Sequence, residues 1–547
     1  MEQTKNKSSS FLVQGSILAA ASIFSRLIGL IYRIPLNNII GDEGAGIYAN
    51  AFKIYNICLI LSCYSIPTAV SRLVASKLEN KEHRNAYRVF LCSMIFSVAV
   101  GVIFTSLLYF GADFIAIKFF SSASLVLPIR ILAPNILIFA VMGVLRGYFQ
   151  GKNTMLPTSI SQILEQIVNA IVSIWAAYGF MMAHSASQQM AAYGAAGGTL
   201  GTVMGSVMGL FFLLFIFVAY RPTILRQLKK DRSVEVDSYP NSFRLLILTI
   251  VPIILSQAVY QVSGLLDNAL FQNIMSSKGH DEVYRNAMLG IYSGKYELLT
   301  NVPIAIATAI GVAIVPSLAA SMTRKNYGEV KRKIHAAIKF NMLVAIPSAV
   351  GMGVLAKPII MLLFSRSSTE SIEMASALLQ VGSVAVVLVA LSTTSNSILQ
   401  SLNKLNIPVI HSSIALVIHL IIVALLLKFT NLGLYALVIG YILFALIVSG
   451  LNWRYIKVTY HYKQEVIKSF IMPFMASVVM GIVTFLSYLG VKKLLHSNLI
   501  ATLVAVLLSV AVYFVLLIFM RAINEKELRS IPKGERIIAL LKKIHLL

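Results

Sequence analysis

The residues best suited to chemistry are ionisable side chains that interrupt long apolar stretches. Arg26 and Arg33 lie in the first stretch, and Lys53 lies in the second. A charged side chain is costly in hydrocarbon, so it normally faces a cavity or a partner. Guanidinium and ammonium groups suit phosphate or carboxylate, and the guanidinium fork donates two parallel hydrogen bonds. These three cations predict an anion-binding site. For Arg33 and Lys53 an alternative is that their side chains snorkel to the outer membrane interface.

Further ionisable residues interrupt later stretches. Lys295 and Glu297 are predicted to bind substrate, although Lys295 is also placed to pair with Glu297 or Asp267. Structural or coupling roles are predicted for Asp267, Glu165 and Arg146. Glu165 is expected to brace Arg146 or the loop before it. No metal site is predicted from these residues.

No motif for catalysis or nucleotide hydrolysis accompanies these residues. The sequence contains no P-loop and no HExxH motif, and its 3 cysteines and 9 histidines have no ligand spacing. We therefore expect a transporter rather than an enzyme, without a bound cofactor. A coupling ion, either sodium or a proton, or the membrane potential would supply the energy.

Composition indicates that membrane helices must position these side chains. Apolar residues make up 58% of the chain and charged residues 12%, whereas soluble domains carry about 25% charged residues. A spanning helix needs about 20 mostly apolar residues, so the sequence predicts an all-α membrane protein of about 14 spans. The net charge of +25 would suggest nucleic acid in a soluble protein. Here the basic residues cluster in alternate connections, which predicts cytoplasmic termini and no nucleic-acid partner.

Two motifs recur at an offset of about 250 residues. Pro67 opens one copy of the first motif and Pro316 the other, while Gln150 and Gln400 open the copies of the second. A constant offset indicates a duplicated unit, which in a membrane protein predicts two bundles around a central substrate site. The predicted divisions are a cytoplasmic N-terminus (1–10), a lobe of six spans (11–220), a cytoplasmic linker (221–242), a second lobe of six spans (243–455), two extra spans (456–520) and a basic amphipathic tail (521–547).

Four segments resemble the MurJ-like lipid II flippases, and in particular their Gram-positive polysaccharide-biosynthesis branch with the SpoVB and YtgP proteins. The segments are FSRLIGLIYRIPL (24–36), LRGYFQGKNTMLPTSISQILEQIVN (145–169), IAIATAIGVAIVPSLAASMTRKN (304–326) and IPSAVGMGVLAKPIIMLLF (346–364). The resemblance implies the MATE-like fold of the MOP exporter superfamily, with a lateral groove for a lipid tail beside the two extra spans. It also implies that Arg26 and Lys53 line a cationic central cavity. The family's span-2 arginine pair has no counterpart here, and Lys295 is only a loose match to its span-8 arginine. Some members bind sodium, and the resemblance makes Asp267 a weak candidate for one sodium ligand.

The resemblance further implies a function. The family moves lipid II, an undecaprenyl-diphosphate-linked peptidoglycan precursor, from the inner to the outer leaflet of the bacterial cell membrane. The expected partners are lipid II or a similar polyprenyl-diphosphate glycolipid, and cell-wall synthesis enzymes. Three alternatives stay open: a flippase for another lipid-linked glycan (capsule, teichoic acid or O-unit), a MATE-type drug or cation antiporter, and a non-transporting cell-wall scaffold.

Overall fold

The computed structural model describes residues 2–231, 237–520 and 522. Within these ranges it does not describe the side chains of residues 2–16, 19, 251–253, 255–260, 312, 313 and 316. The described residues are almost all helical and include no β-strand. The helices are α1 (Glu2–Ser62), α2 (Ile66–Glu79), α3 (His83–Phe110), α4 (Val126–Gly151), α5 (Leu156–Ala183), α6 (Met190–Lys230), α7 (Tyr239–Ser277), α8 (Glu282–Leu289), α9 (Leu298–Thr323), α10 (Tyr327–Val354), α11 (Ala356–Leu363), α12 (Thr369–Gly382), α13 (Val384–Ser401), α14 (Asn406–Phe429), α15 (Leu434–Tyr460), α16 (Met472–Leu495) and α17 (Asn498–Phe519). Segments of π-helix occupy Phe114–Phe119, Gly290–Glu297 and Ile467–Ile471.

The prediction of an all-α membrane fold is confirmed. Within the described part of the chain, 11 helical stretches are long and apolar enough to cross a membrane. One of these stretches, Ala20–Glu79, contains the first two predicted spans. The predicted seventh and eighth spans correspond to α7 and to α8 with α9, where several side chains are undescribed.

A kink at Gly41 separates the first two spans within α1. The backbone of Gly41 has φ 70° and ψ −178°, a region that residues with a Cβ atom rarely adopt. Arg26 and Arg33 precede the kink, and Lys53 follows it. Gly41 therefore sets the relative direction of the two segments of α1 that carry the cations.

The chain divides into two compact units, Met1–Gly294 and Lys295–Leu547. The first unit contains α1 to α8, and the second contains α9 to α17. The predicted lobe boundaries stay a prediction, and the predicted amphipathic tail lies outside the described residues apart from Ala522.

Helix α6 packs closely on α5 through its glycines. A Cβ atom on Gly201 would lie 2.1 Å from Ser173 Oγ, and one on Gly205 would lie 2.4 Å from the carbonyl oxygen of Glu165. Small residues at every fourth position allow such close approach in membrane helices. This contact fixes α5, the helix that carries Glu165.

The repeat identified in the sequence has a local structural counterpart. Asn153 after α4 has φ 58°, and Asn403 after α13 has φ 59°. The Asn153 N–H donates to the Gln150 carbonyl at 2.9 Å, and the Asn403 N–H donates to the Gln400 carbonyl at 3.0 Å. Two helices about 250 residues apart therefore end in the same left-handed turn.

Candidate functional site

Arg26 lies on an exposed face of α1 among apolar neighbours. Phe24 is 60% exposed and Leu27 is 46% exposed, and Arg26 itself is exposed. Among the described residues, its guanidinium has no hydrogen-bond or ion-pair partner. The alternative in which Arg26 pairs with Asp267 is therefore not realised in this conformation. A guanidinium this far into a spanning segment needs water or an anion beside it.

Arg33 lies two helical turns further along α1 and is partly enclosed by aromatic side chains. Its Cζ atom is 5.8 Å from the centre of the Phe52 ring. Tyr32 and Tyr48 are buried beside it with their hydroxyl oxygens 3.1 Å apart, and Asn169 Nδ2 donates to the Tyr32 hydroxyl at 3.2 Å. Within the described structure, Arg33 Nε is buried without a hydrogen-bond partner, while the guanidinium interacts with the hydroxyls of Tyr32 and Tyr48.

Lys53 contacts polar groups from α7 and from the π-helical segment. Its Nζ atom donates to Asn268 Oδ1 at 3.1 Å and to Ser293 Oγ at 3.4 Å, and lies 5.7 Å from the Tyr292 ring centre. Asn268 is buried, and its Nδ2 donates to Asn50 Oδ1 at 2.6 Å. These contacts hold the ammonium of Lys53 within the first unit.

A close backbone crossing brings the π-helical segment to α1. A Cβ atom on Gly46 would lie 1.9 Å from the Asn286 carbonyl oxygen, and one on Gly290 would lie 1.7 Å from the Asp42 carbonyl oxygen. Only glycine at both positions permits this approach. The π-helix that begins at Gly290 rotates the following side chains relative to an α-helix, and Ser293 faces Lys53 as a result.

Sequence reasoning missed most residues around these cations. Asn268 directly follows Asp267 in an apolar span, so the pair of adjacent polar residues was a usable signal. Asn37, whose Nδ2 donates to the Gly294 carbonyl at 2.7 Å, is likewise a polar residue in an apolar stretch. The position of Ser293 depends on the π-helix, for which the sequence gives no signal.

Lys295 belongs to the second unit and is 2% exposed. Its ammonium donates to Ser371 Oγ and lies 5.7 Å from the Phe364 ring centre. Glu297 is half-buried, and Asp267 in α7 is buried. The predicted roles of these three ionisable residues stay predictions, including a sodium ligand at Asp267. The described residues contain no group of three or more His, Cys, Asp or Glu side chains that could hold a metal ion.

Arg146 and Glu165 form an ion pair, which is one of the two arrangements that the sequence left open for Glu165. Arg146 Nη2 lies 2.8 Å from Glu165 Oε2, and Arg146 Nε donates to Ser161 Oγ at 3.1 Å. The two charged side chains are only 6% and 12% exposed. This guanidinium is already neutralised, which favours the structural role predicted for both residues.

Lys152 follows α4 in a mostly aromatic environment. Its Nζ atom lies 5.1 Å from the Tyr148 ring centre and 4.6 Å from that of Tyr220, and donates to Gln227 Oε1 at 2.9 Å. Burial lowers the pKa of Lys152 to about 8. Lys152, the second basic residue of the RGYFQGK string, therefore packs against α6.

Sequence comparisons relate the chain to known proteins. A family model described as "Polysaccharide biosynthesis protein" matches residues 12–322, and a second model with this description matches residues 281–373. The chain is 25% identical over 539 residues to the stage V sporulation protein B of Bacillus subtilis (strain 168). This alignment covers 96% of this chain and 99% of that protein. It is also 25% identical over 489 residues to the lipid II flippase MurJ of the same strain, which covers 87% of this chain and 88% of that protein.

Comparisons of the fold give two similar solved structures. A lipid II flippase MurJ in an inward closed conformation has a TM-score of 0.64 at 17% identity, covering 92% of this chain and 98% of the other. An inward-facing MATE multidrug transporter of the MOP superfamily has a TM-score of 0.66 at 15% identity, covering 80% of this chain and 94% of the other. The predicted MATE-like fold is thereby confirmed, while identities this low are evidence of fold alone.

Proposed function

Because this chain belongs to the polysaccharide biosynthesis protein family, we propose that it is a flippase that moves lipid II from the inner to the outer leaflet by alternating access. The observation that carries this proposal is the environment of Arg26. An exposed guanidinium within a spanning segment, without a partner among the described residues, is suited to a charged ligand in a water-filled path.

Two further cations of the first unit extend this argument. Arg33 has a buried Nε donor without a partner among the described residues, which a movement of the surrounding side chains would open to a phosphate. Lys53 Nζ donates to Asn268 Oδ1 and Ser293 Oγ, and phosphate oxygens would accept charge-assisted hydrogen bonds from the same ammonium. Arg26 and Arg33 are seven residues apart, and seven residues correspond to nearly two full helical turns, so both point along one side of α1. A diphosphate, which spreads its charge over several oxygens, suits cations arranged in this way.

The proposed cycle follows from the chemistry of the substrate. The cations neutralise the diphosphate while the sugar and peptide cross in water and the polyprenyl tail stays in lipid. Arg26, Arg33 and Lys53 receive the diphosphate in this scheme. The membrane potential acts on any charge that crosses, with about 2.3 kcal/mol per charge per 100 mV. A cationic drug is a poor ligand for such a path, which disfavours an antiporter.

A second candidate is a flippase for another polyprenyl-linked glycan. All such substrates share the diphosphate, so these cations recognise the whole class. The similarity to a protein named for stage V of sporulation favours a substrate or a role particular to sporulation. Purified protein should be tested for binding to lipid II and to a second undecaprenyl-diphosphate glycan. Tighter binding of lipid II supports the first candidate, and tighter binding of the other glycan supports the second.

The test of the site is Arg26→Ala. Hydrogen bonds to charged groups contribute about 1.5–3 kcal/mol, so we expect diphosphate binding to weaken on the order of ten- to a hundredfold. Outer-leaflet exposure of lipid II, measured in cells depleted of other flippases, should fall accordingly. Arg26→Lys should rescue poorly, because one ammonium cannot reproduce the bidentate fork.

The matched control is Arg130→Ala. Arg130 is another arginine of the first unit, with a side chain 42% exposed and paired to Asp113 at 2.5 Å, and exposed pairs contribute little to stability. Detergent melting curves should show that both variants fold. Normal lipid II exposure in cells carrying a folded Arg26→Ala protein would remove the central residue of the proposal.

A further inference from the structure

A cavity of about 450 Å³ opens among three helix connections of the second unit. Its volume is within the range of small-ligand pockets, about 300–1,000 Å³. The lining residues are Met322, Tyr327, Lys331, Lys404, Thr459, Tyr460 and His461. No carboxylate is among them. The cavity belongs to the second unit, whereas the cations of α1 belong to the first.

The backbone brings these residues together through three left-handed turns. Lys325 after α9 has φ 55°, Asn403 after α13 has φ 59°, and His461 after α15 has φ 46°. Each turn ends a spanning helix, so the cavity lies at one end of the membrane-spanning bundle of this unit. Under the predicted orientation, this end faces the cytoplasm.

The two lysines of the cavity are not paired. Lys333 pairs with Glu329 at 2.7 Å, and Lys468 lies 3.5 Å from Glu465. Among the described residues, Lys331 and Lys404 have neither a hydrogen-bond acceptor nor an ion-pair partner. Two unpaired lysines therefore line a cavity that has no carboxylate in its lining.

We infer that this cavity binds a phosphate group, and that the phosphate is the headgroup of an anionic phospholipid. Lys331 and Lys404 supply the charge, while the Thr459 hydroxyl and the His461 ring add hydrogen-bonding capacity. Met322 and the buried ring of Tyr460 give the floor an apolar character that suits the glycerol and upper acyl chain. The anionic inner leaflet attracts basic side chains at this depth. Soluble phosphate has the same recognition chemistry and is the other source to test.

The experiment measures the melting temperature of the full-length protein in a neutral detergent as ligand is added, because a ligand of the folded state raises it. The probes are inorganic phosphate, a short-chain phosphatidylglycerol and a short-chain phosphatidylcholine. We expect a saturable rise with phosphatidylglycerol at a concentration about tenfold below that for phosphatidylcholine. The variant Lys331→Gln/Lys404→Gln should need at least about tenfold more phosphatidylglycerol. A saturable response to inorganic phosphate that this variant loses would support the phosphate site and assign it to a soluble ligand.

The matched control is Arg332→Gln/Lys457→Gln, which removes two exposed charges near the same surface from residues outside the cavity. An equal loss in both double variants would overturn the proposal in favour of diffuse surface charge. An unchanged response to phosphatidylglycerol, with a lower melting temperature before ligand is added, would also overturn it. The lysines would then only neutralise the carboxyl ends of the surrounding helices. If the double variant does not fold, the single variant Lys404→Gln, at an exposed position, is used to measure the same response to phosphatidylglycerol.

Discussion

Removal of one member of the buried ion pair between Arg146 and Glu165 should strongly destabilise the first unit. The charged atoms are 2.8 Å apart, and the guanidinium also donates to Ser161 Oγ. Arg146→Met leaves a carboxylate in a mostly buried space, and Glu165→Gln leaves an uncompensated guanidinium. In each variant, the remaining charge loses its partner without regaining its hydration.

The magnitude follows from this burial. Breaking a buried pair by removing one partner costs about 3–5 kcal/mol. We expect about 3 kcal/mol for each single variant, because the Glu165 side chain is 12% exposed and retains some contact with solvent. The double variant Arg146→Met/Glu165→Gln leaves no buried charge, so its cost should fall below the sum of the two single costs. A coupling energy of at least about 1 kcal/mol should result, above the mean of about 0.6 kcal/mol measured for hydrogen bonds between membrane helices.

The assay is a double-mutant cycle on the free energy of unfolding of the purified protein. The control cycle uses Lys357→Met and Glu373→Gln, a pair 3.7 Å apart whose side chains are 56% and 62% exposed. Exposed pairs contribute about 0–1 kcal/mol, so these variants should change stability little. Additive costs for the Arg146 and Glu165 variants, or equal coupling in both cycles, would refute the reasoning from burial.

Two further predictions concern topology and packing. A single cysteine at position 42 in a cysteine-free background should react with an impermeant thiol reagent added outside cells, and one at position 229 should not; the opposite result would contradict the predicted orientation. Gly201→Ala should lower the free energy of unfolding by about 1–3 kcal/mol, because the added Cβ atom would overlap Ser173. The Cβ atom added by Gly179→Ala would have no atom within 4 Å, so this variant should be nearly as stable as the unchanged protein. Equal melting temperatures for these two alanine variants would show that α5 and α6 tolerate separation.

The sequence predicted the features of the fold that depend on composition and on recurring patterns. Apolar length and low charge identified the spanning helices, and the offset of about 250 residues identified a repeat whose turns at Asn153 and Asn403 share one backbone conformation. The pairing of Arg146 with Glu165 was predictable because charges in neighbouring spans, joined by a short loop, have few other partners. The ion pair required only short-range connectivity, and the other inferences required only composition and a pattern that recurs along the chain.

The environment of each cation was not predictable in the same way. The sequence identifies Arg33 as a cation in an apolar span, but the enclosure by Tyr32 and Tyr48 depends on the kink at Gly41. The contact between Lys53 and Ser293 depends on a π-helix and on a glycine crossing between distant segments. These features arise from helix packing, for which a single sequence gives no direct signal.

The group that is paired with each arginine indicates the role of that arginine more clearly than its depth in the membrane does. Arg146 is bound to a carboxylate, so an incoming phosphate would have to compete with an anion that is already in place. Arg26 has no such competitor among the described residues. Binding an anion therefore gains more at Arg26 than at Arg146. Loss of transport without loss of stability is expected at Arg26, and loss of stability is expected at Arg146.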